Sequence, residues 1–132
     1  MQITPLQVNW KLSVAAQKHA NWMATNKTLN HNENGITFST RLSAEDYHFW
    51  NAGENIAMGQ PTVQSVMTAW MNSSGHRANI LSIKFRDVGF GMAENEDKKY
   101  WCVDFGSIAA AVADSYEPSI SLAGPLGPIQ KI

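Results

Sequence analysis

A run with glycine at alternate positions, Val88-Gly89-Phe90-Gly91-Met92, limits most what this chain can fold into. Val88, Phe90 and Met92 alternate with Gly89, Gly91 and Ala93, the period of a strand. Glycine inside a strand removes the side chain, which suits a second backbone or a helix packed very close. After the polar turn Asn95-Glu96-Asp97-Lys98, alternation resumes from Tyr100 to Phe105. Trp101, Val103 and Phe105 fall on one face, and Tyr100, Cys102 and Asp104 on the other. The two runs predict an antiparallel pair joined by a tight turn.

Helical periodicity precedes the pair. Leu12, Ala15, Ala16, His19, Trp22 and Met23 recur at i, i+3, i+4 and i+7, which predicts a helix over Leu12–Thr25 with Ser13 as its cap. His19 lies on the apolar face and reads as a core histidine. Residues 26 to 50 read as a long polar loop with a helical turn near Ser43-Ala44-Glu45-Asp46. The Tyr47-His48-Phe49-Trp50 cluster within it argues for packing, with His48 a surface or packing residue. Thr62 after Pro61 is an N-cap signal for a second helix, with Val63, Val66, Met67, Trp70 and Met71 as its apolar stripe. That helix stops near Ser73-Ser74-Gly75, and a short one restarts at His76 and runs to Leu81. Helix, loop, helix and paired strands predict an α+β fold with helices packed on a small antiparallel sheet.

Composition excludes several classes. With 132 residues the chain suits one domain with a real core. A formal charge of -1 provides no basic field for nucleic acid. A single cysteine, Cys102, rules out an intrachain disulfide, and mid-strand it reads as a buried inert thiol. No apolar run approaches the ~20 residues of a membrane span. The stretch Met1-Gln2-Ile3-Thr4-Pro5 lacks the features of a signal peptide. The tail from Ile108, ending Gly124-Pro125-Leu126-Gly127-Pro128, reads as an extended arm.

Two short motifs carry the candidate chemistry. Ala52-Gly53-Glu54-Asn55-Ile56-Ala57 offers a carboxylate beside a glycine, and Gly75-His76-Arg77-Ala78-Asn79-Ile80-Leu81 offers a histidine. With His31 upstream, two imidazoles and Glu54 make an incomplete zinc shell with room for water. The same groups suit acid–base work, with Glu54 as base and candidate catalytic residue. Structural readings stand beside these. Glu54 could accept loop amides, Asn55 could cap a turn, and His76 could cap the Trp70 helix. Ser73 and Ser74 near His76 leave a Ser–His pair open, without a G-x-S-x-G elbow.

Taken together, the motifs resemble the CAP superfamily of cysteine-rich secretory proteins, antigen 5 and pathogenesis-related class 1 proteins, in its short bacterial branch. The resemblance rests on His19-Ala20-Asn21-Trp22-Met23-Ala24, His31, Ala52–Ala57, Ala69-Trp70-Met71-Asn72-Ser73, Gly75–Leu81, Phe85, Val88–Gly91, and Tyr100-Trp101 with Phe105-Gly106. It implies an α-β-α sandwich, a CAP domain over residues 1–107 without the usual upstream helix, and a C-terminal extension over 108–132. It also implies an extracellular life and a cleft able to hold zinc or another divalent cation. By position the metal ligands are His31 and His76, and the cleft is lined by Glu54, Ser73 and Asn55. Ser73 stands where the family carries a second acid, and Cys102-Val103 replaces a polar pair. The implied role is a binding module for lipid, sterol, or a host or cell-surface protein. A metal- or Glu-assisted hydrolase acting on peptide or glycan is the alternative.

Overall fold

A five-stranded sheet in the order β1-β3-β4-β2-β5 separates two helical layers in the computed structural model, which describes residues 5–108 and 119–123. At its centre lie β2 (Asn51–Met58), β3 (Asp87–Asn95) and β4 (Lys98–Ser107), paired antiparallel, and the β3–β4 pair is the one the alternation predicts. The edges add two parallel pairings, of β1 (Gln7–Val8) with β3 and of β5 (Ser119–Leu122) with β2. The sheet is therefore mixed rather than antiparallel throughout. The turn between β3 and β4 puts Glu96 and Asp97 at φ 53° and 65°, the left-handed pair that a two-residue hairpin needs.

One face of the sheet carries α1 (Trp10–Asn26) and α2 (Phe38–Ala44). The first helix begins before Leu12, because Asn9 rather than Ser13 caps it. Its Oδ1 accepts from the amides of Lys11 and Leu12 at 2.9 and 3.1 Å. The buried face of α1 is rich in alanine and lies directly on β3. A Cβ on Gly89 would come within 2.1 Å of the Leu12 carbonyl carbon, and one on Gly91 within 2.5 Å of Gln17 Cα. The alternate glycines thus serve the close helix approach that their spacing predicts.

The expected turn at 43–46 is a helix placed earlier, α2, with Thr37 as its cap. Phe38 and Leu42 pack with Leu12, Ala15 and the buried Tyr47. The opposite face carries α3 (Val63–Met71) and α4 (Ser74–Leu81). Thr62 caps α3 in a reciprocal box with Ser65, each side chain accepting the other's amide at 3.0 Å. Trp70 is fully buried here with Val66, Phe85, Trp101, Val103 and Phe105. Tyr100 and Cys102 turn the other way, onto α1.

Two elements contradict their sequence readings. The Ala52–Ala57 motif is not a loop but part of β2, buried along its whole length. Within the tail that reads as an arm, Ser119–Leu122 form a sheet edge. The Gly124–Pro128 stretch, and Met1–Thr4, lie outside the described residues.

Candidate functional site

Glu54 is the centre of a buried polar network. Strand β2 turns it toward α1 and α2, directly opposite Asp104 in the register with β4. The carboxylate has no exposed surface. Arg41, projecting from α2, donates from Nη2 to Oε1 and Oε2 at 2.8 and 2.9 Å, and also to the His31 carbonyl at 2.8 Å. His31 Nδ1 lies 2.6 Å from Oε1. From the adjacent strand, the Cys102 thiol donates to Oε2 at 3.2 Å.

Charge in this network is balanced locally. Burial works to raise the Glu54 carboxyl, but the His31 contact, the Arg41 charge and a hydrogen bond from Asp104 outweigh it. They hold Glu54 well below the usual carboxylate range. Asp104 moves the other way, because burial and the adjacent Glu54 charge push its carboxyl well up. Burial, then the Asp104 and Glu54 charges, also push the Cys102 thiol well up. The result is one ionised carboxylate, one guanidinium, and two groups that keep their protons.

The candidate residues from the sequence fall into two sets on opposite faces of β2. His31 joins Glu54, and its Nε2 lies 2.6 Å from the carbonyl oxygen of Ala123, just past β5. Across the strand, Asn55 donates to the His76 carbonyl at 3.0 Å and accepts from Asn79 at 2.9 Å. His76 is buried at the first turn of α4, with Nδ1 2.7 Å from Ser73 Oγ. Ala123 touches both sides. Its carbonyl meets His31, and its methyl lies 3.8 Å from where a Gly75 Cβ would sit.

His19 is a satisfied core histidine. Its nitrogens lie 2.7 Å from Glu33 Oε2 and 2.7 Å from the Asn30 carbonyl, and burial holds its pKa down against the pull of Glu54. His48 is exposed beside Asp46.

Arg41 and Asp104 belong to the network although no motif singles them out. The signal for Asp104 was its place on the Tyr100-Cys102-Asp104 face, which the Glu54–Asp104 register turns into a contact. Arg41 had no such signal. Among the described residues, Glu54, Cys102 and Asp104 each bring a ligand atom within 4.8 Å of the others, a set that could hold a metal ion. His31 and His76 belong to separate pairs instead, with Glu54 and Ser73.

A mixed sheet between two helical layers, with a carboxylate locked at its centre by arginine and histidine, defines an α+β sandwich domain. The chain belongs to the cysteine-rich secretory protein family, CAP, whose family model matches residues 1–105. The YkwD protein of Bacillus subtilis (strain 168) is 37% identical over 95 residues, which is 70% of this chain and 37% of that protein. The chain therefore spans little more than a third of that relative. An extracellular protein of Bacillus anthracis containing an SCP domain has a TM-score of 0.70 at 28% identity, covering 79% of this chain and 34% of that one. An outer surface protein of Borrelia burgdorferi shares the fold at a TM-score of 0.75 and 24% identity, covering 81% and 80%. No helix among the described residues is long and apolar enough to cross a membrane.

Proposed function

We propose that this domain is an extracellular interaction module in which the Glu54 network braces the fold and turns over no substrate. One observation carries the reading. Glu54 has no exposed surface, and Arg41 and His31 occupy its oxygens. A general base needs a lone pair within reach of water or substrate. The extracellular setting rests on the surface and extracellular relatives.

Zinc or another divalent cation is the cofactor the resemblance implies, and two donor sets come into question. At Glu54, Cys102 and Asp104, a cation would meet the Arg41 charge and two groups that burial keeps protonated. At His31 the Glu54 carboxylate and the Ala123 carbonyl engage both ring nitrogens, while at His76 the Ser73 hydroxyl engages Nδ1. The first set would take a cation only by releasing both protons beside Arg41. For the partner, a protein or a lipid remains the class the resemblance implies. The cavity between α1 and α2, lined by Ala15, Ile36, Arg41 and Ala44 among others, holds about 280 Å³.

Hydrolysis is the second reading, and the Ser73–His76 contact of 2.7 Å is the observation in its favour. The test is incubation of the full chain with casein and with peptidoglycan, with and without added zinc, beside Glu54→Gln and Ser73→Ala. The expected result is no turnover by any of the three. Turnover by the wild type that either substitution abolishes would overturn the module reading.

A further inference from the structure

The last described segment of the chain occupies a groove that its own side chains scarcely fill. Ser119–Leu122 lie parallel to β2, and Ser107 and Ser119 both pair with Asn51. Ile120 and Leu122 are 47% and 42% exposed, while Ala123 is buried. Close to half of each of these two apolar side chains thus stays in water, and main-chain hydrogen bonds add to what holds the strand. Ser119 N donates to the Trp50 carbonyl at 3.0 Å, and Ala123 N to the Glu54 carbonyl at 3.3 Å. Such bonds are blind to sequence, so any extended chain can make them. An edge strand with few buried contacts also opens at low free energy.

The groove nevertheless has selective positions. Ser121 Oγ donates to Asn79 Oδ1 at 2.7 Å, and Asn79 Nδ2 reaches the Ser121 carbonyl at 3.3 Å. Glycine at 53 permits this approach, because a Cβ there would come within 2.8 Å of the Ser121 carbonyl oxygen. Two residues on, the Ala123 methyl packs toward Gly75, and its carbonyl meets His31 Nε2. A large side chain at that position would collide with the start of α4. Ile120 and Leu122, each a little under half exposed, make none of these polar contacts.

We propose that the groove between the β2 edge and α4 is a binding site for an extended peptide carrying a hydroxyl residue two places before a small residue. The chain's own Ser119–Ala123 is the occupant in cis. This deepens the interaction-module reading and rests on it. An external peptide adds a strand in place of the cis segment, with Asn79 reading the hydroxyl and Gly75 enforcing the small residue. Its apparent affinity is reduced by the fraction of time the cis segment stays docked.

The test is fluorescence anisotropy with a labelled peptide of residues 117–125, titrated with the full chain. Ala123→Pro in the protein removes the amide that donates to Glu54 and loosens the cis strand. It should bind the peptide at least ~10-fold more tightly than the wild type, as the docked fraction falls. Adding Asn79→Ala to that variant should reverse the gain, and the same peptide with Ala123→Trp should not bind. Ser121→Ala in the protein removes only the hydroxyl and should give a smaller gain in the same direction. It decides the matter if Ala123→Pro fails to fold by far-UV circular dichroism. Folded variants that bind no better than the wild type, or equal binding of the Trp peptide, would overturn the groove. That failure leaves the module reading standing, because the module reading falls only on hydrolysis.

Discussion

Glu54 keeps a full charge with no exposed surface, which is costly unless every lone pair is engaged. Arg41 makes this tolerable by matching the charge and spanning both oxygens, and it binds the His31 carbonyl with the same nitrogen. Removing one partner of such a pair is far worse than removing both, because the survivor stays buried and uncompensated. Arg41→Met should therefore cost about 3–5 kcal/mol of unfolding free energy. Glu54→Gln combined with Arg41→Met should recover part of that loss, because no buried charge remains. Urea denaturation of the two variants checks this. A double variant less stable than Arg41→Met alone would mean that Glu54 is held mainly by His31 and Cys102.

At the scale of elements, the contact between α1 and β3 is set by what is missing from the strand. The backbone of α1 occupies the space that side chains at 89 and 91 would need. Gly89→Ala places a methyl 2.1 Å from the Leu12 carbonyl carbon, which neither backbone can accommodate without moving apart. A loss of about 2–3 kcal/mol or more is expected, the upper range for an overpacked core. A thermal melt within a degree of the wild type would show that α1 shifts freely on the sheet. The same elements show what the sequence makes legible. α1 and α3 are one-faced helices of full period, and β3 and β4 alternate, so all four read directly. β2 does not, because it is buried on both faces and loses its alternation. α2 offers only Phe38 and Leu42 as an apolar pair amid Ser39, Thr40, Arg41 and Ser43. Glu54 stands out in the sequence through its glycine-flanked motif. Its partner Arg41 comes from the unread helix, and Asp104 meets it only through the register of the unread strand. The misses in the site thus follow from the misses in the elements.

At the scale of the whole molecule, the central network sets how stability answers to pH. Asp104 keeps its proton in the folded state at pH values where the unfolded chain, with a carboxyl near ~3.9, has lost it. Its contribution is complete below that value and is lost as pH rises toward the folded one. In that window each unit of pH removes up to about 1.4 kcal/mol. The neighbouring groups act elsewhere. Glu54, held low, contributes stability above the ordinary carboxyl range that is lost only as pH falls below it. His19, lowered by burial, takes stability away as pH falls below ~6.5. Cys102, pushed up, adds a further loss only as pH rises past ~8.5. Arg41 keeps its charge throughout, with burial outweighed by the Glu54 charge. Above the ordinary carboxyl range the Asp104 contribution falls as pH rises, opposite in sign to those of Glu54 and His19. Asp104→Asn keeps a donor toward Glu54 and removes the titration. The variant should gain on the wild type as pH rises above the ordinary carboxyl range, with a flatter profile by urea denaturation at each pH. Parallel profiles would mean that Asp104 ionises in the folded protein as it does in the unfolded chain, leaving two carboxylates to share the Arg41 charge.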